Sequence, residues 1–250
     1  MSSIQVGLNE KSMTTYNLMI AKDQSDLARL SCEIIASSID LVLDQRDRCQ
    51  LALSGGSTPE ATYQCLAKEH LPWDRVDVFL GDERWVASTD ERSNAKMLRR
   101  TLLESGPGSQ ARFYPIPTVE FSSPDESAKK FSMILQQYCL GDPPVFDVVL
   151  LGLGDDGHTA SLFPYTDALK VTDKFATACT GNGLARVTLT APVLSSARKV
   201  IFIVSGSSKK LALERLQDFA ESTERTPARL VQPNTEILIL TDRHTVENPL

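Results

Sequence analysis

Apolar residues in this chain follow two alternating patterns, short continuous runs and longer stretches with helical spacing. The runs are rich in β-branched and aliphatic residues, as expected for strands buried on both faces of a parallel sheet. They are Cys49–Leu53, Val76–Leu80, Phe146–Leu151, Val200–Val204 and Glu236–Leu240. A sixth candidate strand, Arg186–Thr190, alternates instead. Its pattern predicts that Val187 and Leu189 point inward and that the two threonines point outward.

Stretches with helical spacing predict helices between these strands. The predicted helices are Gln24–Gln45, Pro59–Lys68, Ser93–Glu104, Pro124–Tyr138 and Lys209–Phe219. Strands that alternate with helices form βαβ units, so the predicted fold is α/β, a doubly wound, mostly parallel sheet flanked by helices. The stretches Gly106–Pro117 and Asp142–Pro144 are too short to link separate domains. We therefore expect a single domain over residues 1–250.

Four of the predicted strands end in polar turns. Leu53 leads into SGGSTP, Leu80 into GDER, Leu151 into GLGDDGHT and Val204 into SGSSK. Parallel strands point the same way, so these turns should meet at the carboxyl-terminal edge of the sheet, where open α/β proteins bind ligands. The sequence therefore predicts one composite cleft.

The turn Gly55-Gly56-Ser57-Thr58 resembles an anion-binding loop. Its glycines permit a tight turn with inward N–H groups, and one of its hydroxyls could cap the next helix, with Glu60 completing a capping box. A phosphate would then lie at the positive end of that helix. Lys209, at the start of another helix, could add a positive charge. A well-capped turn and a solvated lysine are open alternatives, because the turn is neither a Walker loop nor GxGxxG.

The turn after Leu151 holds the densest set of reactive groups. His158 is one of three histidines in the chain, and imidazole is the side chain best suited to acid–base chemistry near neutral pH. Asp156 and Gly157 precede it directly. A histidine that caps a helix is the structural alternative. A metal site is disfavoured here, because no second histidine or cysteine lies at ligand spacing.

Three charged residues, Asp82, Glu83 and Arg84, directly follow a buried strand. A surface turn rarely needs all three, which favours a functional role. Arg84 could bind an oxyanion or a carboxylate, and Asp82 could orient Arg84 or His158. Arg186 could also face the cleft from its alternating strand, with a surface arginine as the alternative.

Composition narrows the class of protein. The chain has 250 residues, 42% of them hydrophobic and 23% charged, as in a soluble globular domain. Its net charge of −6 argues against a nucleic-acid or membrane partner, although a local basic pocket is compatible with it. Five scattered cysteines without a CxxC pair favour reduced core thiols. The sequence shows no signal-peptide pattern, so we expect a cytoplasmic protein, and nothing in it requires more than a monomer.

The ordered motifs together resemble the 6-phosphogluconolactonase family, which belongs to a sugar-phosphate isomerase group with glucosamine-6-phosphate deaminase. The similarity runs from about residue 51 to residue 231 and rests on LSGGSTP, FLGDERWV with Ser93-Asn94, FDVVLLGLGDDGHTASLFP, RVTLTAPVL and VSGSSK. In the deaminase branch a glutamate stands five residues after the histidine. Phe163 occupies that position here, which is the lactonase pattern. Tyr165 and Ser195 depart from the family, which commonly has glycine and asparagine there.

The resemblance implies hydrolysis of 6-phospho-D-glucono-1,5-lactone to 6-phosphogluconate in the oxidative pentose phosphate pathway, without cofactor or metal. The implied catalytic residues are His158, Asp156, Asp82 and Arg84. The implied contacts to the phosphorylated sugar lactone come from Gly55, Gly56, Ser57, Thr58, Gly157, Arg186 and Lys209. A deaminase and a non-catalytic sugar-phosphate sensor are the alternatives.

Overall fold

A computed structural model describes residues 14–246, so the ends of the expected 1–250 domain lie outside the described residues. Its strands are β1 (Tyr16–Ala21), β2 (Cys49–Leu53), β3 (Val76–Leu80), β4 (Asp82–Arg84), β5 (Arg112–Tyr114), β6 (Val148–Gly152), β7 (Ala176–Gly181), β8 (Leu184–Leu189), β9 (Val200–Val204) and β10 (Ile237–Asp242). Seven of these strands form a parallel sheet in the order β1-β10-β9-β6-β2-β3-β5. The other three form a small antiparallel sheet in the order β4-β8-β7.

Helices connect the parallel strands, as the pattern predicted. They are α1 (Gln24–Leu43), α2 (Ser57–Leu66), α3 (Asn94–Leu98), α4 (Pro124–Tyr138), α5 (Ala191–Ser195), α6 (Lys210–Gln217) and α7 (Arg243–Val246). Asp23 caps α1, because its side chain accepts a hydrogen bond from the backbone N–H of Asp26 over 2.9 Å. A π-helical turn, Arg99–Leu103, continues α3 and accounts for the longer helix predicted there. The α/β fold predicted from the sequence is confirmed.

The central strand of the parallel sheet is fully enclosed. β6 stands between β9 and β2, and its residues Val149, Leu150 and Leu151 have no exposed surface. Helices cover both faces of a doubly wound sheet, so a central strand needs apolar side chains on both of its sides. Truncating such a residue to alanine costs about 2–5 kcal/mol. The turn that carries His158 therefore starts from one of the most firmly held parts of the sheet.

The four strands whose ends carry polar turns are neighbours in the sheet. The order β9-β6-β2-β3 places them side by side, all pointing the same way. Their carboxyl ends consequently share one edge, as the sequence predicted. No helix within residues 14–246 has both the length and the apolar character needed to cross a membrane.

The small sheet corrects the prediction of a turn at Asp82–Arg84. These residues form β4, because they pair with β8 in an antiparallel register that sets Arg84 opposite Arg186. The alternating strand predicted at Arg186–Thr190 exists as part of β8, but it lies in this sheet and not in the parallel one. The pairing brings residues from two distant parts of the chain to the edge of the cleft.

The inward–outward pattern predicted for that strand is half right. Val187 and Leu189 are buried as predicted, but Thr188 and Thr190, which were expected to face outward, are fully buried as well. The hydroxyl oxygen of Thr188 accepts a hydrogen bond from the backbone N–H of Ser161, and the hydroxyl of Thr190 donates to the carbonyl of Lys174. Threonine is tolerated inside because its hydroxyl finds a partner there.

Besides β4, three more strands have no counterpart among the predicted strands. β1 is an edge strand with several exposed apolar side chains, and the short β5 lies inside the stretch predicted as a loop at Gly106–Pro117. β7 is the outer strand of the small sheet and pairs with β8. Short or edge strands carry weak periodicity, so the sequence pattern alone did not reveal them.

Candidate active site

A cleft of about 240 Å³ opens at the carboxyl-terminal edge of the parallel sheet. Its polar lining comes from all four predicted turns and from the small sheet: Ser54, Gly55, Gly56, Ser57, Thr58, Asp82, Arg84, Asn94, Gly154, His158, Arg186, Ser205 and Lys209. The predicted site residues are all in this lining except Asp156 and Gly157. Three cationic side chains and one carboxylate give the cleft a positive character, in contrast to the chain's net charge of −6.

His158 is held in place by residues of its own turn. Its ring Nδ1 lies 2.5 Å from Oδ1 of Asp156, and its backbone N–H donates to the same oxygen over 3.1 Å. The ring of Phe163 stacks on the imidazole, with centroids 4.3 Å apart. A carboxylate can only accept, so Nδ1 carries the proton of the neutral imidazole. Nε2 is then the basic nitrogen.

The contact with His158 also changes Asp156. Burial by itself would raise the pKa of the Asp156 carboxyl, but the hydrogen bonds and charge of His158 outweigh it, so the pKa lies below its usual value. Asp156 is therefore ionised at neutral pH. Its negative charge lies directly beside Nδ1 of His158.

Two glycines permit this turn. A Cβ on Gly154 would lie 2.0 Å from Nδ1 of His158, so a side chain there would displace the ring. Gly157 has φ of +85°, in the left-handed region that favours glycine, and a Cβ there would lie 3.0 Å from Thr226. The sequence placed Gly157 against the substrate, but it does not line the cleft. In the structure a glycine is favoured at this position because the backbone is left-handed there.

The Gly55-Gly56-Ser57-Thr58 turn begins α2 without a side-chain cap. Gly56 is the N-cap residue with φ of 107°, and no side chain accepts from the first turn of the helix. The predicted capping box is wrong, because Glu60 pairs with Arg100 at 2.6 Å. The turn lines the cleft, where a bound anion would satisfy the first N–H groups of the helix. The adjacent hydroxyl of Ser54 is buried and has no partner within residues 14–246.

Lys209 lines the cleft from a different strand end than the Gly55-Gly56-Ser57-Thr58 turn. It lies in the turn between β9 and α6, and its Nζ is 2.6 Å from Oδ1 of Asp155. Asp155 is well exposed, with 62% of its side chain accessible. Such an exposed ion pair contributes little stability, so a stronger anion could compete for the lysine.

Asn94 positions Arg84. Nη1 of Arg84 donates to Oδ1 of Asn94 over 2.6 Å and to the carbonyl of Arg92 over 2.7 Å. The amide of Asn94 donates in turn to the carbonyl and side chain of Asp82. A Cβ on Gly55 would lie 1.9 Å from Asn94, which ties the anion-binding turn to the same asparagine. The buried Nε of Arg84 has no partner within the described chain.

Asp82 has different partners from those the sequence suggested. We expected it to orient Arg84 or His158. Its side chain instead accepts from the hydroxyl of Ser161 and lies 3.6 Å from Nη1 of Arg186, and it reaches Arg84 only through Asn94. Asp82 thus supports the arginines and does not contact the histidine among the described hydrogen bonds.

Arg186 lies in the cleft, and the surface alternative is wrong. Burial lowers the pKa of its guanidinium, the nearby charge of Asp82 opposes this shift, and Arg84 adds to it. The guanidinium also lies over the ring of Phe163, 5.1 Å from the centroid. A buried cation with one carboxylate partner at 3.6 Å is well placed to attract an anion.

Glu83 has a structural role, although the sequence favoured function for all three charges of its segment. Its carboxylate accepts from the backbone N–H groups of Arg84, Asn94 and Ala95 and from the hydroxyl of Ser93. Burial raises the pKa of Glu83, and these hydrogen bonds oppose the rise. Glu83 therefore stabilises the start of α3.

Three residues that were not predicted as site residues reach the cleft or its charges. Asn94 and Ser54 line the cleft, and Ser161 contacts Asp82. Each belongs to a motif of the family resemblance: Ser93-Asn94, LSGGSTP and the segment that ends in GHTASLFP. The motifs are therefore the signal that could have identified them.

Comparison with known proteins identifies the family. The family model for glucosamine-6-phosphate isomerases/6-phosphogluconolactonase matches residues 22–240. The chain is 40% identical over 228 residues to a 6-phosphogluconolactonase of Nostoc sp., an alignment that covers 89% of this chain and 94% of that protein. The chain belongs to this family.

Solved structures in the family share the fold. The crystal structure of a 6-phosphogluconolactonase from Shewanella baltica matches with a TM-score of 0.82 and 28% identity, covering 92% of this chain and 98% of that one. A monomeric glucosamine-6-phosphate deaminase matches with a TM-score of 0.77, covering 92% and 98%, but at 20% identity it shows the fold alone. Both branches of the family therefore use the same parallel sheet.

Neither departure from the family pattern changes the cleft lining. Tyr165 adopts φ of 59° and is largely exposed, so it keeps a backbone conformation suited to glycine. The hydroxyl of Ser195 contacts the carbonyl of Leu230 and the N–H of Gln232. Both residues lie outside the set that lines the cleft.

Proposed function

We propose that this protein is a 6-phosphogluconolactonase, which hydrolyses 6-phospho-D-glucono-1,5-lactone to 6-phosphogluconate. The observation that carries the proposal is His158 in a positively charged cleft, with Asp156 on Nδ1 and with Nε2 left for a water molecule. The homologues that share most of the chain bear this enzyme's name. The reaction is the lactone-hydrolysing step of the oxidative pentose phosphate pathway.

His158 acts first as a base and then as an acid. Nε2 takes a proton from water as the water oxygen attacks the lactone carbonyl carbon, forming a tetrahedral oxyanion. The intermediate collapses when the bond to the ring oxygen breaks, and the imidazolium returns the proton to that oxygen. The products are the C5 hydroxyl and a carboxylic acid, which releases its proton to solvent. Acid–base catalysis of this kind contributes about 10²–10⁴-fold.

The charge of Asp156 supports both steps. A carboxylate on Nδ1 holds the ring in the tautomer whose Nε2 is basic. It also stabilises the imidazolium that forms when Nε2 takes up the proton. The stacked ring of Phe163 restricts rotation of the imidazole. Phe163 stands where the deaminase branch has a glutamate that serves in ring opening. A phenyl ring cannot transfer a proton, so this chain lacks the carboxylate that the deaminase reaction uses.

The arginines provide the charge that the intermediate needs. Arg84 and Arg186 both line the cleft, and their guanidinium groups are held by Asn94 and Asp82. Fixed cations stabilise an oxyanion without reorganising during the reaction. Arg84 either stabilises this oxyanion or binds the phosphate or product carboxylate, and kinetics must separate these roles.

The phosphate binds at the uncapped start of α2. The Gly55-Gly56-Ser57-Thr58 turn presents N–H groups and hydroxyls there, and Lys209 supplies a charge once it exchanges Asp155 for the phosphate. Binding energy from the phosphate then positions the lactone carbonyl at the histidine. A preference for the phosphorylated lactone over plain gluconolactone follows.

The proposed hydrolysis needs no metal, because a base, fixed cations and a positioned water account for each step. Phosphogluconolactone can be generated in place by glucose-6-phosphate dehydrogenase, and its decay followed near pH 7 with and without the protein. We expect faster decay that persists in excess EDTA, and no ammonia from glucosamine-6-phosphate. Activity that EDTA removes without any loss of folded protein or of Tm, and that a divalent ion restores, would contradict the metal-free mechanism. Ammonia release would assign the chain to the deaminase branch.

A further inference from the structure

A second cluster of reactive side chains lies between α1 and α2, outside the cleft. Cys32 is buried in α1, Cys65 is in the last turn of α2, and Glu69 follows that helix. The two sulfur atoms and a carboxylate oxygen all lie within 4.8 Å of one another. Within residues 14–246 this is the group where three metal-ligating side chains converge.

One of the three donor separations is close to that of a tetrahedral zinc site, and the other two are no longer than 4.8 Å. Zinc–sulfur distances of about 2.3 Å and zinc–oxygen distances of about 2.1 Å place two sulfurs about 3.8 Å apart and a sulfur and an oxygen about 3.6 Å apart. Sγ of Cys32 lies 3.9 Å from Oε1 of Glu69. A side-chain movement of about 0.3 Å would bring this pair to the ideal separation.

The chemistry of the three donors suits a divalent cation. Two thiols and one carboxylate converge there, and thiolate sulfur and carboxylate oxygen are both zinc ligands. An ion that binds replaces the two thiol protons, and the carboxylate of Glu69 adds negative charge to the site.

The backbone around the donors is already in place. The indole N–H of Trp73, a buried residue, donates to the carbonyl of Glu69 over 2.8 Å, and the N–H of Glu69 donates to the carbonyl of Leu66 over 3.1 Å. Cys65 is partly exposed, which provides a path from solvent to the donors. Little chain entropy would be lost when an ion binds a site that is held in this way.

We propose that Cys32, Cys65 and Glu69 bind one soft divalent cation such as Zn²⁺, with water as the fourth ligand. The ion would link α1 to the C-terminal end of α2. The other end of α2 carries the Gly55–Thr58 turn, so the site would stabilise the helix on which the phosphate turn is mounted. The site is separate from the cleft, and the hydrolysis proposed above takes no step through it.

The test titrates the reduced, metal-free full chain with Zn²⁺ and, as a spectroscopic probe, Cd²⁺. We expect one ion per chain, thiolate-to-metal charge-transfer absorption with Cd²⁺, and the release of about two protons per ion. At an ion concentration of about 100 times Kd, Tm should rise by roughly 5–10 °C. These readouts do not depend on lactonase activity.

Variants locate the ion. Cys65→Ser, at a partly exposed position that should not disturb folding, is expected to weaken binding at least about 100-fold, and Glu69→Gln about 10-fold. Cys139→Ser is the matched control, because Cys139 lies in the hydrophobic core away from the cluster, and it should bind the ion as the unmodified chain does.

Three results would overturn the proposal. The first is an unmodified chain that binds no ion below millimolar concentrations. The second is binding that persists in Cys65→Ser but disappears in His158→Ala, which would place the ion in the cleft. The third is a Cys32–Cys65 disulfide that forms equally fast with and without Zn²⁺, which would make the pair a redox site.

Discussion

The histidine side of the cleft is defined by His158, Asp156 and Phe163. These residues come from one short segment, and His158 contacts the other two directly. On the arginine side, Arg84 and Arg186 come from two strands of a separate sheet, and Asp82 and Asn94 hold them. The histidine side is positioned by local backbone geometry and by glycines. The arginine side depends on tertiary pairing.

The two sides have different tasks: the histidine side transfers protons, and the arginine side stabilises negative charge. Proton transfer needs one nitrogen at a defined position, which a short glycine-rich turn can provide. Charge stabilisation needs cations from several directions, brought into a dry cleft and held against each other's repulsion, which needs several elements of the fold. Ser161 connects the two sides, since it follows His158 in sequence and hydrogen-bonds to Asp82.

The largest effect is expected from removing the base. His158→Ala should lower kcat by about 10²–10⁴-fold while the far-UV circular dichroism and Tm stay near those of the unmodified chain, because the ring is partly exposed and packs on few groups. His70→Ala, in an exposed loop, is the matched control and should keep full activity. A folded His158→Ala with nearly normal turnover would remove this residue from the mechanism.

Arg84→Ala tests the arginine side. If the guanidinium stabilises the oxyanion, kcat should fall about 10²–10³-fold with a smaller change in KM. Asn94→Ala should lower kcat less, because the asparagine holds the guanidinium of Arg84 in place and carries no charge itself. Arg92→Ala is the control, since Arg84 contacts only the carbonyl of that residue. A change confined to KM would assign Arg84 to binding of the phosphate or carboxylate.

Lys209→Ala asks whether the phosphate binds where proposed. Losing one charge-assisted contact should lower kcat/KM for the phosphorylated lactone about 10–100-fold and leave plain gluconolactone nearly unaffected. It should also weaken inhibition by 6-phosphogluconate. Lys210→Ala, one residue along the same helix start, provides the comparison. An equal loss on both lactones would separate Lys209 from the phosphate.

The smallest effect is expected from Asp156→Asn, measured as a pH–rate profile. The pKa of Asp156 is depressed in the folded protein, so its charge is present above the usual value of 3.8 and is lost only as pH falls through the depressed value. Between about pH 5 and 9 the carboxylate is ionised throughout. The variant should therefore lose about tenfold in kcat across that whole range, because the imidazolium loses its negative partner. A loss confined to the alkaline side, with nearly equal rates on the acidic side, would mean that Asp156 becomes protonated within this range.

Sequence alone determined the parallel sheet and the place of His158 at its edge. The runs at β2, β3, β6 and β9 are apolar on both faces and end in polar turns, so period, length and turn chemistry indicated the same edge. Asp156, His158 and Phe163 lie within a few residues of each other, and contacts of that range follow from local geometry.

Only the tertiary structure decided the arginine side and the partners of its charges. Asp82–Arg84 has three residues, too few for a periodic pattern, and it became a strand because β8 pairs with it. Asn94 could not be assigned to Arg84, nor Ser161 to Asp82, because such hydrogen bonds join residues that no spacing rule relates. The same reason applies to Cys32, Cys65 and Glu69, which show no zinc spacing in sequence and meet only where α1 packs on α2. Such long-range contacts depend on which helices and strands pack together. The spacing of residues along the chain does not specify that packing.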